Sequence, residues 1–555
     1  MNSFFYRQQY LCWILLLAFS ITANGQMKEV PYDNDSTFYR IDLALKNPNA
    51  CYYLFLEKDT LRELPENFSR LTNLKGITFR YCLNVNWQQV ISQLAKQRNL
   101  QYIEISICSV KLLPENIGDL QQIQALNLKS NLLHQLPSSI NTCSRLQYLN
   151  LSFNRTLDFG TLSESLSTIP GLTDLDLSNN LLTAFPGNLN TIENLTRLNI
   201  ADNHLRVLPI DLNQFHSLKT LDLSNNILLD YSAELGKLAA FPALKQLSLS
   251  SGDLKTLPES IGDLIALETL NLSGNQLTEL PRSIEKLVHL KELNLGMDAG
   301  GSRRNKIRNF PAGFEKLVNL EVLNLSGDSI ITLPVSISKF SRLRELNVSW
   351  CTLFEISSAI RELKNLEILN VDHNHIHKIP EWIGEIESLR ELHADADFFS
   401  YPVDKINLLP ATIGNLKQLE ILSLRDQVIE ALPSSLINCK HLKVLDLRNN
   451  LLIALPDDFS ALPSLQYLDL KANDLEKLPV GFDKLVTLKN LDLSFNESLN
   501  MMAAANQLLN MQHLELLDIS FNKFDPKIYY ALKKSLPNTK IIAKSFNNLQ
   551  PVERK

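Results

Sequence analysis

The amino-acid sequence predicts an α/β solenoid, with a curved parallel sheet on the concave face and 3-10 or short helices on the convex face. Two observations lead to this prediction. Leucine-rich units of about 23 residues recur along nearly the whole chain, and each unit reads as one strand followed by a turn. Single hydrophobic cores stop growing near ~250–300 residues. A self-similar chain of 555 residues is therefore best explained by stacked repeats.

The repeat unit is Leu-x-x-Leu-x-Leu-x-x-Asn-x-Leu-x-x-Leu-Pro-x-x-Ile-x-x-Leu, and its positions are numbered below from the first leucine. The twenty copies begin at Cys51, Leu74, Leu100, Ile123, Leu146, Leu172, Leu195, Leu218, Leu244, Leu267, Leu290, Leu320, Leu343, Leu366, Leu389, Leu419, Leu442, Leu465, Leu488 and Leu514. Apolar and polar residues alternate where the strand is expected. The Asn at position nine is expected to form a ladder of side-chain amides along the solenoid axis.

The copy from Leu267 to Ile284 shows the motif in full: Leu-Glu-Thr-Leu-Asn-Leu-Ser-Gly-Asn-Gln-Leu-Thr-Glu-Leu-Pro-Arg-Ser-Ile. This motif resembles the leucine-rich-repeat superfamily, specifically the Leu-Pro-containing 23-residue class found in Ras-suppressor-like and Scribble-like proteins and in many bacterial secreted proteins. The resemblance covers residues 51 to about 540. It implies a leucine-rich-repeat solenoid and says little about function, because one fold serves many functions.

The chain is expected to have four parts. Residues 1–25 carry a single charge, an apolar run and small residues before Gln26, which predicts a cleaved signal peptide and a secreted or periplasmic protein. A retained anchor is the alternative. Residues 26–50 are expected to form an N-terminal helical cap with a helix over 37–46, and residues 51–525 the repeats. Residues 526–555 would be a C-terminal helical cap and tail, with a helix over 527–536 and a last strand over 540–543.

Four longer copies, opening at Leu74, Leu146, Leu218 and Leu488, lack the Leu-Pro step and predict helices on their outer side. The cysteines after the signal peptide fall at repeat positions that face inward, which predicts buried free thiols. A bridge between Cys82 and Cys108, in adjacent copies, stays open at this stage.

Composition and motifs exclude several functions. Without residues 1–25 the chain has 53 basic and 60 acidic side chains, a net charge of −7, which argues against nucleic acid as a partner. No apolar run is long enough to span a bilayer, which needs ~20 residues. No phosphate-binding glycine loop, nucleophile elbow or catalytic triad pattern occurs. We expect a monomeric protein that is not an enzyme and uses no cofactor.

Two columns of side chains on the predicted strands differ in character. Position two alternates in sign over nine copies, and the sequence predicts a structural ladder of ion pairs there: Lys245, Glu268, Lys291, Glu321, Arg344, Glu367, Arg390, Glu420 and Lys443. Position seven is bland in the early copies, then becomes charged between Leu343 and Leu488. The charged side chains and their neighbours form a candidate partner-binding patch: Trp350, Asp372, His373, His393, Asp395, Arg425, Asp426, Arg448, Tyr467 and Lys471.

Two copies carry seven extra residues directly after the strand. We call these segments the first insert (296–305) and the second insert (395–404). Insertions in repeat proteins map to one face, often the binding face. Phe398, Phe399 and Tyr401 of the second insert are expected to act as apolar anchors for a partner, and the alternative is that these rings fold back onto the array.

The function that these features favour is protein recognition on the concave face, outside the cytoplasm. In this interpretation Arg425, Arg448 and Lys471 meet an acidic region of the partner. The alternatives are a receptor for an anionic glycan or cell-wall fragment and a purely structural surface protein. The histidines near His373, with Asp395 and Asp397, have the residue types of a metal site. They match no fixed ligand spacing, so no metal is predicted.

Overall fold

The computed structural model describes residues 36–544 except 59, 186–188, 190–191, 210–214 and 398–403. The chain divides into two compact units, an N-terminal unit of residues 1–275 and a C-terminal unit of residues 276–555. The predicted signal peptide and the end of the tail lie outside the described residues. Each unit is a leucine-rich-repeat stack, in which every copy supplies one strand to a parallel sheet and returns through a turn and, in most copies, a short helix.

In the N-terminal unit, each described strand pairs in parallel with the next one along the chain. The strands are β1 Thr37–Phe38, β2 Tyr53–Glu57, β3 Gly76–Arg80, β4 Tyr102–Ser106, β5 Ala125–Asn127, β6 Tyr148–Asn150, β7 Asp174–Asp176, β8 Arg197–Asn199, β9 Thr220–Asp222, β10 Gln246–Ser248 and β11 Thr269–Asn271. The α-helices are α1 Ile41–Lys46, α2 Trp87–Leu94, α3 Phe159–Ser167 and α4 Tyr231–Glu234, and the 3-10 helices are Pro48–Ala50, Glu66–Arg70, Glu115–Asp119, Ser138–Thr142, Leu235–Ala240 and Glu259–Asp263.

The C-terminal unit repeats the same parallel pairing in its described strands. The strands are β12 Glu292–Asn294, β13 Val322–Asn324, β14 Glu345–Asn347, β15 Ile368–Asn370, β16 Glu391–His393, β17 Ile421–Ser423, β18 Val444–Asp446, β19 Tyr467–Asp469, β20 Asn490–Asp492, β21 Leu516–Asp518 and β22 Lys540–Ile542. The α-helices are α5 Met501–Leu508 and α6 Pro526–Ser535, and the 3-10 helices are Arg282–Lys286, Phe314–Lys316, Val335–Lys339, Ser358–Glu362, Glu381–Glu385, Ala411–Asn415, Ser434–Asn438, Phe459–Ala461 and Phe482–Lys484.

The leucines of the motif form the core. Leu267, Leu270 and Leu272, at positions one, four and six of one copy, are fully buried. Burying a leucine side chain stabilises the folded state by ~1.5–3 kcal/mol. Because each copy presents the same inward residues, the apolar layer continues from strand to strand within a unit. All four longer copies, which open at Leu74, Leu146, Leu218 and Leu488, carry an α-helix after the strand, as predicted.

The N-terminal cap differs from its prediction at one point. The helix begins at Ile41, not at Thr37, because Thr37 and Phe38 form β1 and pair with Tyr53 and Leu54 of the first repeat strand. The sequence of this segment has helical periodicity, but an unpaired edge of β2 gives the backbone a better partner. At the other end, α6 and β22 lie within a residue of the predicted bounds.

The predicted asparagine ladder is present. Asn203 shows its chemistry: Nδ2 donates to the carbonyl oxygens of Leu177 and Ile200, at 3.1 and 3.0 Å. Its Oδ1 accepts from the backbone N–H groups of Asn180 and Leu182, at 3.0 and 2.9 Å. Nδ2 also lies 3.1 Å from the carbonyl oxygen of Ala201, so one side chain satisfies five backbone groups that the turn would otherwise bury without partners.

Position eight, which follows the strand, takes a left-handed backbone conformation in most copies, with φ between 52° and 60° at residues such as Asn225, Trp350 and His373. Gly274 and Gly327 hold the same position with φ of 64° and 78°. A left-handed residue costs a side chain other than glycine ~1–2 kcal/mol. The hydrogen bonds of the ladder and the packing of the buried leucines on either side of the turn offset this cost. Bulky residues are therefore tolerated at position eight.

Three substitutions in the ladder show how it adapts. Cys351 donates its thiol to the carbonyl of Leu325, at 3.2 Å, and Gln427 donates Nε2 to the carbonyl of Ala394, at 2.6 Å. Asp328 has no such donor when ionised. Its Oδ1 accepts from the N–H of Ile307, at 2.9 Å, while Oδ2 is buried without a hydrogen-bond partner among the described residues. Burial raises the pKa of Asp328 to about 8, so the protonated carboxyl is the form that fits the ladder at neutral pH.

The six cysteines in the described residues are buried free thiols, as the repeat positions predicted. Cys82 and Cys108 are in contact, since the N–H of Cys82 lies 3.4 Å from the sulfur of Cys108, but no bridge joins them. The side-chain hydrogen bond with Cys82 and burial both raise the pKa of the Cys108 thiol, and they outweigh the backbone N–H of Cys82, which lowers it. Burial raises the pKa of Cys143 and Cys439 to about 11. These thiols are therefore structural and unreactive in the folded protein.

We predict that Asp328→Asn stabilises the protein at alkaline pH. The raised pKa means that the folded state holds a proton that the unfolded state releases, so this site loses stability as pH rises from about 4 to about 8. Asparagine supplies the missing donor at every pH and should gain ~1–3 kcal/mol near pH 8. Thermal and urea unfolding at about pH 5 and about pH 8 should show the difference. Asp474→Asn, an exposed site with the same charge change, is the control. Equal pH dependence in the wild type and Asp328→Asn would contradict the assignment.

Candidate partner-binding surface

The predicted basic column lies on one side of the sheet. Arg425, Arg448 and Lys471 each follow their strand by two residues, and the strands β17, β18 and β19 are neighbours in register. The three side chains are therefore brought together on adjacent strands, as the repeat spacing predicted. Their surroundings differ from the prediction, however, because carboxylates lie between them.

The two arginines belong to an ionic zipper that crosses four strands. Arg425 Nε lies 2.7 Å from Asp395 Oδ2 and 3.4 Å from Asp446 Oδ2. Arg448 Nη2 lies 2.7 Å from Asp446 Oδ2 and 3.2 Å from Asp469 Oδ2. The aspartate side chains are almost fully buried, whereas the side chains of Arg425 and Arg448 are 27 % and 31 % exposed. Alternation of charge removes the like-charge repulsion that a bare basic column would suffer.

The zipper changes the charge that this surface offers to a partner. The neighbouring carboxylates outweigh the effect of burial and raise the pKa of both Arg425 and Arg448, so both remain protonated. Their charge is compensated by the aspartates beside them. Lys471 differs, because its ammonium lies 5.5 Å from the centre of the Phe495 ring and makes no ion pair among the described residues.

The carboxylates continue towards the earlier strands. Asp372 Oδ1 accepts from the N–H of Asp395 at 2.7 Å, and burial together with the Asp395 charge raises the pKa of Asp372 to about 7. His393 Nε2 lies 3.2 Å from Glu391 Oε2. Burial opposes protonation of His393, but Glu391, Asp372 and Asp395 outweigh it and raise the pKa of the imidazole. This part of the surface is thus acidic, with one buried histidine among its carboxylates.

The remaining patch residues lie beside the zipper. Tyr467 donates its hydroxyl to Asp469 Oδ2 at 3.1 Å, which links the ring to the end of the zipper. Asp426 accepts from Asn449 Nδ2 at 2.8 Å, and burial raises the pKa of its carboxyl. Both side chains are half-buried.

An aromatic pair and a pocket lie at the edge of this surface, where the strands end. The rings of Trp350 and His373 stack with centroids 3.9 Å apart and planes 22° apart, and Trp350 remains 45 % exposed. The left-handed backbone at both residues places these rings at the turn. The adjacent pocket, here called the rim pocket, has a volume of about 240 Å³ and is lined by Arg304, Gly327, Asp328, Ser329, Trp350, Cys351, Thr352, His373, Asn374, His375 and Asp397.

Both inserts contribute to the rim pocket. Arg304 comes from the first insert and Asp397 from the second, and three successive copies lie between them. A glycine explains how closely the first insert approaches the turn: a Cβ on Gly327 would lie 2.3 Å from Met297 Cγ and 3.4 Å from Arg304 Cβ. The predicted anchors Phe398, Phe399 and Tyr401 lie outside the described residues.

Sequence reasoning missed two parts of the surface. Asp446 and Asp469 were missed because Asn, Asp or Ser occupies position five in nearly every copy. An Asp at position five and an Arg at position seven nevertheless lie side by side on the same face of a strand. Arg304 and Asp328 were missed because a pocket between turns depends on how the inserts fold. The alternating column at position two was predicted correctly, and Arg344 binds Glu367 at 2.9 Å while Glu420 binds both Arg390 and Lys443.

The strand, ladder and turn of each copy define a leucine-rich-repeat protein, and comparison with known proteins agrees. The family described as "Leucine-rich repeat region" matches residues 195–323, 282–398 and 404–550, which is more than half of the chain. The chain therefore belongs to the leucine-rich-repeat family.

Individual relatives share parts of the chain or its fold. The leucine-rich repeat-containing G-protein coupled receptor 5 of Rattus norvegicus is 30 % identical over 142 residues, which are 21 % of this chain and 15 % of the receptor. The chain thus spans less than a fifth of the length of the curated relatives it matches. A leucine-rich-repeat protein of Leptospira interrogans is 27 % identical, with coverage of 91 % of this chain and 99 % of that one and a TM-score of 0.45. The TLR13–ssRNA13 complex is 20 % identical, with coverage of 91 % and 83 % and a TM-score of 0.61, which supports the fold alone.

The described residues contain neither a candidate membrane-spanning helix nor a metal-ligand cluster. No helix there has the length and apolar character needed to cross a bilayer. No three histidine, cysteine or carboxylate side chains there converge as metal ligands, and His375 instead lies 3.7 Å from Asp404 Oδ2.

We predict that Arg448→Met destabilises the C-terminal unit whereas Lys471→Met does not. Removing Arg448 leaves Asp446 and Asp469 buried without their cation, which should cost ~1–3 kcal/mol. Lys471 makes no ion pair among the described residues, and its loss should change stability by less than ~0.5 kcal/mol. Urea unfolding followed by circular dichroism measures the free energy of unfolding of each variant. Equal stability of the two variants would show that the zipper is not a structural element.

Proposed function

We propose that this protein is a non-catalytic recognition scaffold that binds a partner protein outside the cytoplasm, on the strand face of the copies from Leu343 to Leu488. The observation that carries the proposal is the rim pocket, where both inserts and the stacked Trp350–His373 pair meet beside a strand face with buried charges. Aromatic anchors beside a pocket and a polar surround are typical of protein interfaces. The sequence offers no catalytic motif as a competing explanation for this cluster.

The chemistry of the partner needs revision. The expectation of an acidic partner rested on Arg425, Arg448 and Lys471, and the ionic zipper compensates the first two. The same fact weakens the alternative of an anionic glycan or cell-wall fragment, because that ligand needs the same uncompensated cations. Protein recognition does not depend on them, so it is the function that we retain.

The location of the protein is proposed from the predicted signal peptide. We expect the mature chain, purified from its native host, to begin at Gln26 and to be recovered from the extracellular or periplasmic fraction. Mass spectrometry of the intact protein measures this, since removal of residues 1–25 changes the mass by a known amount. A mature chain that retains Met1 and stays in the cytoplasmic fraction would refute the location.

Site-specific photo-crosslinking tests the binding surface. A photoreactive phenylalanine analogue placed at Tyr467 or His373 reports on the strand face and the rim, and the same analogue at Val335 or Val480 serves as the control. Val335 and Val480 are 79 % and 92 % exposed and lie outside the strands, Val335 at the start of a 3-10 helix and Val480 in a turn. We expect crosslinks to one protein from Tyr467 and His373 but not from the controls. Crosslinks only from the controls, or binding to glycan arrays with no crosslinked protein, would overturn the proposal.

A further inference from the structure

The rim pocket has the size of a site for one side chain. Pockets for drug-sized ligands usually occupy ~300–1,000 Å³, and the rim pocket falls below that range at about 240 Å³. Its position at the ends of the strands suits one residue of a longer partner segment that continues along the strand face. The pocket therefore acts as an anchor point within a larger surface.

One wall of the pocket is an aromatic surface. Trp350 and His373 stack at 3.9 Å, and nearly half of Trp350 is exposed. Tryptophan is the ring that attracts cations best, and a guanidinium group also stacks on its plane. Burial lowers the pKa of His373, so the imidazole is neutral at physiological pH and does not repel a cation.

The charges around the pocket have the sign that complements a cation. At the outward strand positions three, five, seven and eight, the copies opening at Leu343, Leu366 and Leu389 carry no lysine or arginine. Besides His373 they carry one histidine, His393, which lies 3.2 Å from Glu391 Oε2, and four carboxylates: Glu345, Asp372, Glu391 and Asp395. Arg425 of the next copy compensates Asp395. Asp397 adds a carboxylate at the pocket itself, against the single cation Arg304 of the first insert.

Two of these carboxyl groups have raised pKa values, because burial and the neighbouring carboxylates disfavour their ionised form. Burial and the charges of Glu391 and Glu292 raise the pKa of Glu345 to about 7, as burial and Asp395 do for Asp372. The nearest cations at position two, Arg344 and Arg390, are already paired with Glu367 and Glu420. A cation delivered by a partner would favour the ionised form of both carboxyls.

From this geometry we propose that the rim pocket binds a lysine or arginine side chain of the partner, stacked on Trp350, with the following residues of a basic segment lying over the acidic strand face. The inference rests on the proposed function and names the partner chemistry of the same site. Asp397 and the acidic column provide the charge, and Trp350 provides the stacking surface.

Short peptides test this inference with purified mature protein. The probes are a glycine–serine peptide that carries arginines, the same peptide with citrulline, which keeps the shape and removes the charge, and the same peptide with glutamate. Calorimetry should show binding of the arginine peptide, at least about tenfold weaker binding of the citrulline peptide and none of the glutamate peptide. The affinity should rise between about pH 6 and about pH 8, because Glu345 and Asp372 on the strand face lose their protons over that range and Asp328 in the pocket begins to lose its own.

Matched variants locate the binding. Trp350→Ala should weaken binding at least about tenfold, whereas Phe495→Ala should not. Phe495 is an equivalent position-eight residue that stacks on Phe521 at 4.3 Å. Asp397→Asn should weaken binding more than Asp474→Asn, which changes the net charge equally. Equal affinity for the arginine and citrulline peptides, or equal effects of Trp350→Ala and Phe495→Ala, would overturn the inference.

The outcomes separate the inference from the proposed function. Suppose that a protein crosslinks to Tyr467 and His373, but that neither Trp350→Ala nor removal of the partner's positive charges changes the affinity. The partner then exists, and the proposal that the rim pocket binds a cation is wrong. If the arginine peptide binds through Trp350 but no protein crosslinks from the strand face, the pocket chemistry stands and the protein-recognition role fails.

Discussion

The structure depends on satisfying the backbone at a turn that recurs in every copy. In most copies a left-handed residue at position eight follows the strand, and the polar groups beside it are buried between copies, where water cannot reach them. The side-chain amide at position nine supplies both a donor and an acceptor there, as Asn203 shows. The leucines stabilise the stack through burial, but the amide ladder fixes the register between copies and allows the strands to stay only three residues long in most of the chain.

That rigid frame leaves the outward side chains free to vary, and the C-terminal unit uses this freedom in two ways. The zipper of Arg425 and Arg448 with Asp395, Asp446 and Asp469 is internal electrostatics, since every one of its charges has a partner within 3.4 Å. The rim pocket differs from the zipper because it has an exposed aromatic ring beside an open cavity. Trp350 is exposed, and Arg304 and Asp397 border the opening where we propose that a partner binds. The distinction matters for interpreting charge on repeat proteins, because a column of arginines is a binding site only where its neighbours leave the charge uncompensated.

Asp328 shows how a single departure from the motif links fold and site. Asparagine at this position would complete the ladder, whereas aspartate leaves one oxygen without a donor and has a pKa raised to about 8. The same residue lines the rim pocket between the inserts. Gly327 beside it makes room for Met297 of the first insert, so the turn that carries this departure from the motif also contacts the insert.

The sequence by itself determined the repeat, the parallel strands, the amide ladder, the buried cysteines and the column of ion pairs at position two. These follow from periodicity, because a side chain's position in the repeat sets whether it faces the core, the ladder or the outer surface. It also placed Arg425, Arg448 and Lys471 on neighbouring strands. Only the tertiary structure decided that Asp395, Asp446 and Asp469 compensate the arginines, that Thr37 begins a strand and that Arg304 and Asp397 border one pocket. Those outcomes depend on side-chain distances across copies and on the path of the inserts, which no repeat position specifies.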